Sequence, residues 1–287
     1  MDSPGPGARQ AVVAPRRLGV LGWPVAHSRS PAMHRAAFAA LGLEGWSYQL
    51  LPVAPDQFSE TVRALGGAGF VGANVTVPHK ARALAVADRA SPAARAIGAA
   101  NTLSFSREGE ITAENTDAPG VLDALGRDPA GMSALVMGAG GSARAVVWAL
   151  REAGASVSVW NRTPARAREL AAELDVRAVD RALPADLLVN CTTVGLDACS
   201  IKDSNGLRNL PVAADELSEY GYVVDLVYSK RPTPLVRAAE ERGLETVDGL
   251  EILVRQGARS FRIWTGIDAP LAAMRRGARD ERGKDHI

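Results

Sequence analysis

Runs of five or six apolar residues recur along this chain, and between them apolar positions fall at three- and four-residue intervals. The first pattern reads as buried strands, the second as helices with one face packed inward. Leu18-Gly19-Val20-Leu21-Gly22 predicts a strand, and Ala32 to Leu41, with Met33, Ala37, Ala40 and Leu41 recurring, predicts a helix. Strands follow at Ser47 to Leu51 and Gly69 to Val75, with a helix near Pro55 to Leu65 between them. A short helix at Ala93 to Ile97 leads into a hairpin, Thr102 to Ser106 and Glu110 to Glu114, closing at Glu108-Gly109. Ala118 to Leu125 is again helical in pattern.

From Ser133 onward the alternation becomes regular. Strands ending at Met137, Trp160, Asn190, Leu226 and Val247 alternate with helical stretches such as Ala145 to Ala153 and Pro234 to Arg242. That order predicts a parallel sheet wound with helices on both faces, and the fold class is α/β. A last helix, Leu250 to Trp264, carries Leu253, Gly257 and Phe261 on one face with Gln256 and Ser260 beside it. Asp197 to Asn209 reads as an irregular loop with no assigned role, and everything after Arg275 as a charged tail.

Composition narrows the classes. A chain of 287 residues has room for two domains, and 33 basic against 32 acidic residues leave no charge excess that favours nucleic acid or a membrane surface. No apolar run is long enough to span a bilayer. Met1 to Arg17, rich in Pro, Gly and Ala, does not resemble a signal peptide and reads as a mobile tail. Cys191 and Cys199 are the only cysteines and four scattered histidines lack metal-ligand spacing, so a reduced, cytoplasmic protein without a metal site is expected.

The most specific local chemistry lies at Val136-Met137-Gly138-Ala139-Gly140-Gly141-Ser142-Ala143-Arg144. A buried strand running through G-x-G-x-x-A into a helix suits a dinucleotide: Gly138 makes the turn, Gly140 admits a pyrophosphate, and Ala143 packs the helix close. The next strand ends in Asn161-Arg162-Thr163, where an NAD site would carry an acidic residue for the ribose 2′-hydroxyl. Arg162, with Arg166 a helical turn on and Thr163 as hydroxyl donor, suits a 2′-phosphate, hence NADP; Thr163-Pro164 also reads as a helix cap.

Several polar residues sit at predicted strand ends with two readings each. Ser28 and Ser30, two apart in a loop, suit a small anion such as a carboxylate, while Ser30 before Pro31 also reads as a helix cap. Lys80, after the third strand, is either a surface lysine or a proton carrier at a substrate oxygen. His79 beside it reads as a loop residue. Asp117 is either a cap or, with Lys80 and Asn101, part of one cleft.

These stretches resemble the shikimate dehydrogenase family. The resemblance runs from Leu18 to Ala273 and rests on Gly22 to Pro31, Asn74 to Lys80, Gly98 to Thr102, Asn115 to Asp117, the glycine turn with Arg144, Asn161 to Thr163, and Gly249 to Gln256, in the family's order. Trp23, Arg35, Ile252 and Arg255 depart from it. The resemblance implies NADP-linked reversible reduction of 3-dehydroshikimate to shikimate, with Lys80 and Asp117 as the catalytic pair. It makes Ser28 and Ser30, assisted by Tyr228, carboxylate ligands, and gives ring hydroxyls to Thr76, Asn101 and Gln256. For NADP(H) it implies Gly138 to Ala143, Asn161, Arg162, Thr163, Arg166, Thr192 and Gly249. It further implies a substrate domain of residues 18–117 completed by 249–275, and a Rossmann-type NADP-binding domain of residues 118–248. Residues 1–17 and 276–287 are left as tails, in a monomer or homodimer. A quinate or aminoshikimate-type dehydrogenase on the same scaffold is the alternative, and a non-catalytic NADPH sensor a more distant one.

Overall fold

Ten elements build the first lobe of the computed structural model, which describes residues 15–195, 207–229 and 231–280. They are β1 (Arg16–Gly22), α1 (Ser30–Ala40), β2 (Trp46–Pro52), α2 (Phe58–Leu65), β3 (Phe70–Val75), α3 (Lys80–Val86), β4 (Arg89–Ala90), α4 (Pro92–Ile97), β5 (Thr102–Phe105) and β6 (Ile111–Glu114). The strands form one sheet in the order β2-β1-β3-β5-β6-β4. β2, β1 and β3 run parallel, whereas β5 is antiparallel to both neighbours through the expected hairpin. Because side chains alternate across a strand, each face gathers its own core. Leu21, Ala73 and Leu103 meet Phe58, Val62 and Ala83 on one side, and Leu18 and Val20 meet Met33, Phe38, Phe261 and Trp264 on the other.

After α5 (Asp117–Leu125) the second lobe begins. It comprises β7 (Ser133–Met137), α6 (Gly141–Glu152), β8 (Ser156–Trp160), α7 (Pro164–Glu173), β9 (Arg177–Ala178), β10 (Ala185–Asn190), β11 (Tyr220–Asp225), α8 (Pro234–Glu240) and β12 (Glu245–Val247). Strand and helix alternate up to β9, and again from β11 onward, while β9, β10 and β11 follow one another without an α-helix among the described residues. All six strands are parallel, in the order β9-β8-β7-β10-β11-β12. This is the dinucleotide-binding order, with the direction of winding reversing between β7 and β10, and ligands bind at the carboxyl end of that switch. α9 (Gly249–Thr265) and α10 (Leu271–Arg279) then return to the first lobe. Gly120 of α5 lets α9 lie against it: a Cβ there would sit 2.8 Å from the Gln256 backbone. Ile252 joins Val121 and Leu125 in the core under the second sheet, so the lobes share apolar packing at this joint.

Several expectations are corrected. Arg16 and Arg17, assigned to the N-terminal tail, open β1, and Arg276 to Arg279, assigned to the charged tail, complete α10. The apolar side of α10 is made of Met274 and the small residues Ala273, Gly277 and Ala278, which a run of arginines conceals in the sequence. Residues 1–14, 281–287, Cys199 and most of the expected 197–209 loop lie outside the described residues. Helix α3 was not anticipated. Ser30 does not cap α1: the cap position is Arg29, without a side-chain bond, and Ser30 is already helical. Thr116 rather than Asp117 occupies the cap position of α5, while Asn115 accepts the Ala118 N–H at 3.1 Å.

One buried group makes stability depend on pH. His34 is fully buried, stacked 4.3 Å from Tyr48 and flanked by Phe38, Phe261 and Trp264, and its ring nitrogens find no hydrogen-bond partner among the described residues. Burial lowers its pKa to about 3. The unfolded chain takes up a proton near pH 6.5 and the folded chain does not, so stability is full above that value and falls as pH drops toward 3. Between pH 7 and 5 the loss is about 2 kcal/mol. Denaturant titrations of His34→Phe are expected to lack this slope, and an unchanged slope would assign the acid sensitivity elsewhere.

Candidate active site

The ends of β1 and β3, the residue before β5, the starts of α3, α5 and α6, the first half of α9, and the segment after β11 enclose a cleft of about 150 Å³. Ser28, Ser30, Thr76, Lys80, Asn101, Asp117, Tyr228 and Gln256 all line it, together with Ser142 and Gly249. All but Gln256, which lies two turns into α9, come from element ends or the loops beside them, where side chains turn toward a common space.

Lys80 is the first residue of α3 and is only 8% exposed, which removes the surface reading. Its Nζ donates to Asp117 Oδ2 at 2.6 Å and to Ser142 Oγ at 2.7 Å. The second bond was not foreseen: it comes from the glycine turn of the other lobe, so the ammonium is gripped from both sides of the cleft. Gly141 belongs to the same contact, since a Cβ there would lie 3.0 Å from the Lys80 Cβ. Asp117 Oδ1 accepts from Asn101 Nδ2 at 2.8 Å, and Asn101 Nδ2 also donates to Gln256 Oε1 at 3.2 Å.

Beneath this lies a polar network that sequence reasoning missed. Asn74 Nδ2 donates to Ser260 Oγ at 3.0 Å and Thr102 Oγ1 at 3.2 Å, while Tyr48 donates to Asn74 Oδ1 at 2.8 Å. Thr116 N–H donates to Asn101 Oδ1 at 2.7 Å. Read locally, these are strand-end and helix-start polar residues; only Ser260, one turn beyond Gln256 on α9, carried a positional hint. Their mutual bonds leave the outward atoms of Asn101 and Gln256 in fixed orientation, as a selective site requires.

At the other end of the cleft, Ser28 Oγ accepts the Ser30 N–H at 3.3 Å, so Ser28 rather than Ser30 does the local turn-holding. The Tyr228 phenol faces Ser28 and the Arg29 backbone; burial pushes its pKa up against those two hydrogen bonds. Trp23, 51% exposed, does not line the cleft.

The remaining predicted residues lie along the carboxyl edge of the second sheet. Gly138 has φ +116°, a conformation that favours glycine, and a Cβ on it would lie 3.1 Å from the Cys191 backbone. Around Gly140, in contrast, a Cβ would meet nothing within 4 Å, which leaves open space at the start of α6. Ala139 is half-buried beside them and Ala143 is fully buried under the helix. Arg162, Thr163 and Arg166 are exposed at the start of α7, and neither arginine pairs with a carboxylate among the described residues. Thr163 holds the cap position, yet its hydroxyl makes no cap bond. Asn161 Nδ2 braces this turn by donating to Thr163 O at 3.0 Å.

Thr192 follows β10, its hydroxyl donating to Asn190 Oδ1 at 2.7 Å. Asp225, also unforeseen, is fully buried at the end of β11; burial, opposed by three donated hydrogen bonds, raises its pKa to about 6. Gly249 starts α9 against the Leu226 and Val227 backbone, at the cleft rather than along the sheet edge. Among the described residues no group of three His, Cys, Asp or Glu is arranged to hold a metal, and no helix is long and apolar enough to cross a membrane.

Family profiles for a shikimate dehydrogenase substrate binding domain, a shikimate/quinate 5-dehydrogenase and a shikimate 5′-dehydrogenase C-terminal domain match residues 20–103, 124–192 and 249–278. A shikimate dehydrogenase (NADP(+)) from one strain of Thermus thermophilus is 49% identical over 271 residues, covering 92% of this chain and 97% of the relative. The chain belongs to the shikimate dehydrogenase family. The crystal structure of a family member from a second Thermus thermophilus strain, in complex with NADP(H) and shikimate, is similar with TM-score 0.82 at 45% identity, covering 92% and 98% of the two chains. The same fold also appears in a ligand-free 5-ketofructose reductase of a Gluconobacter strain, with TM-score 0.80, 29% identity and coverage of 93% and 99%. Shikimate dehydrogenase architecture therefore accompanies more than one named activity, and the substrate has to be argued from the cleft.

Proposed function

We propose that this chain catalyses the reversible NADP-linked reduction of 3-dehydroshikimate to shikimate, with Lys80 and Asp117 as its acid–base pair. The observation that carries the reading is the convergence of eight polar side chains on one small cleft, with the Lys80 ammonium at the wall nearest the glycine turn. Ser28, Ser30 and Tyr228 offer three hydroxyls at one end, suited to a carboxylate. Thr76, Asn101 and Gln256 offer donors and acceptors at the other, suited to ring hydroxyls. A rigid polyol held at both ends presents one carbon to the second lobe, which is the orientation hydride transfer needs.

The second lobe fits NADP(H). Gly138 makes the turn, the open space around Gly140 admits phosphate, and the N–H groups at the start of α6 face it. Arg162, Arg166 and Thr163 would hold the 2′-phosphate, Asn161 would shape that turn, and Thr192 would border the nicotinamide end. When bound, the cofactor supplies or accepts the hydride. Lys80 donates a proton to the substrate oxygen as negative charge develops there, and in the oxidative direction takes it back. Asp117 holds the ammonium on that oxygen, and Asn101 fixes Asp117.

In this reading residues 18–117 and 249–275 bind substrate and residues 118–248 bind cofactor. The protein acts in the cytoplasm, in the supply of chorismate for aromatic amino acids, as a monomer or homodimer. The test is absorbance of the reduced cofactor with purified protein, shikimate or quinate, and NADP or NAD. Rapid reduction of NADP by shikimate alone is expected. Turnover with quinate or NAD in preference would overturn the substrate or cofactor assignment, and no turnover in any combination would overturn the activity.

A further inference from the structure

The end of β11 holds a carboxylate for which the reaction has no direct use. Asp225 is fully buried and sits in register with Asn190 at the end of the neighbouring strand β10. Its Oδ1 accepts from Asn190 Nδ2 at 2.9 Å and from the Val227 N–H at 3.0 Å, and its Oδ2 accepts from the Thr233 hydroxyl at 2.5 Å. These donors belong to three segments: β10, the stretch that delivers Tyr228, and the cap of α8.

Asn190 carries the connection onward. Its Oδ1 accepts both the N–H and the hydroxyl of Thr192, at 3.0 and 2.7 Å, and its Nδ2 reaches Val194 O at 3.3 Å. Thr192 Oγ1 accepts the Val194 N–H at 3.1 Å, so the loop from Cys191 to Gly195 is wrapped around the Asn190 amide. One buried carboxylate therefore stands two hydrogen bonds from Thr192 on the cofactor side and, on the substrate side, one hydrogen bond from Val227, the residue before Tyr228.

Strand pairing alone does not require an ionisable group here, since backbone bonds already hold β10 to β11. What the carboxylate adds is a common anchor for two loops that face different ligands. A bound ligand that orders either loop reduces the cost of ordering the other, which is a coupling between sites carried by a physical connection. We propose that Asp225 is a positioning residue that links the cofactor loop to the substrate tyrosine, so that NADP and shikimate each strengthen binding of the other. The inference rests on the assignment of those two ligands to the two loops.

The experiment measures the dissociation constant of shikimate with and without NADP, and of NADP with and without shikimate. It uses the intact wild-type chain, Asp225→Ala, Asp225→Asn and Asn190→Ala, with thermal melting recorded for each. Wild type is expected to show mutual enhancement of at least about fivefold. Asp225→Ala is expected to bring this close to one and raise both KM values about tenfold, while Asp225→Asn, which retains an acceptor for Val227 and a partner for Thr233, recovers much of it. Asn190→Ala cuts the link on the cofactor side alone: it is expected to abolish the enhancement while leaving shikimate affinity without NADP near wild type. This holds the test open if Asp225→Ala does not fold. Enhancement absent in active wild-type enzyme, or unchanged in Asn190→Ala, would overturn the coupling. A variant that melts earlier but keeps both KM values and the enhancement would reduce Asp225 to a purely structural role. A wild-type chain that never oxidises shikimate would instead overturn the functional reading beneath it.

Discussion

Replacing Lys80 by methionine is expected to lower kcat for shikimate oxidation about 10³-fold, with a change of only a few-fold in KM. The carbinol proton then has no positioned acceptor, whereas the carboxylate and hydroxyl contacts of the substrate come from other residues. Methionine is chosen because the lysine stem packs against Gly141, and alanine would add a void to the chemical loss. Asp117→Asn should lose part of the same factor, because its amide still reaches Nζ but no longer offers a charged anchor. The double variant should be little worse than Lys80→Met alone, since the two residues act as a unit. Steady-state kinetics over a pH range with both directions of reaction decides the matter. A Lys80→Met enzyme that kept its kcat and lost only affinity would make the lysine a ligand and move proton transfer elsewhere.

The second large effect concerns the cofactor. Arg162→Ala with Arg166→Ala is expected to raise the KM for NADP by about 10²-fold while leaving NAD almost unaffected. Two charge-assisted contacts to a phosphate in a buried site would be worth more, but both guanidinium groups are exposed and solvent weakens them. For the same reason the wild-type preference for NADP should shrink as salt is added. Equal weakening of both cofactors in the double variant would show that the arginines serve a part the two share, and the 2′-phosphate assignment would be wrong.

What could be read from the chain and what could not follows the range of the interactions. The doubly wound sheet was legible because its central strands β7, β10 and β11 each carry a short run of buried residues, and α6 and α8 supply crossovers of ordinary helical pattern. Gly138 and Gly140 were legible because a tight turn and an open approach constrain backbone at single positions. The local residues around Lys80 left its setting open, since Asp117 lies 37 residues away and entered as a partner only through the resemblance, and the bond to Ser142, 62 residues away, was not foreseen at all. The cap readings of Ser30 and Asp117 failed for the same reason. A serine or aspartate before a helix caps it only when nothing stronger claims the side chain, and the claimants here sit on other elements. Asn74, Asn190 and Asp225 at strand ends and Thr116 at a helix start are likewise ordinary residues until the fold brings their partners to them. Helix α10 escaped notice because alanine, glycine and one methionine make a weak apolar signal among arginines, although they suit a close crossing with α1.

The return of α9 to the first lobe bears on how the chain is made. The Trp264 indole donates to Leu103 O across 161 residues, and Ser260 closes the network around Asn74 and Thr102. On a ribosome adding about 5–20 residues per second, the first sheet therefore waits roughly 8–30 s for the helix that covers one of its faces. During that interval Leu18, Val20, Met33 and Phe38 lack the cover that α9 provides, whereas the second lobe has its whole sheet by the time α9 is made. The nascent chain is thus most exposed to aggregation in its first hundred residues, and slow codons or chaperone contact would matter there more than in the second lobe.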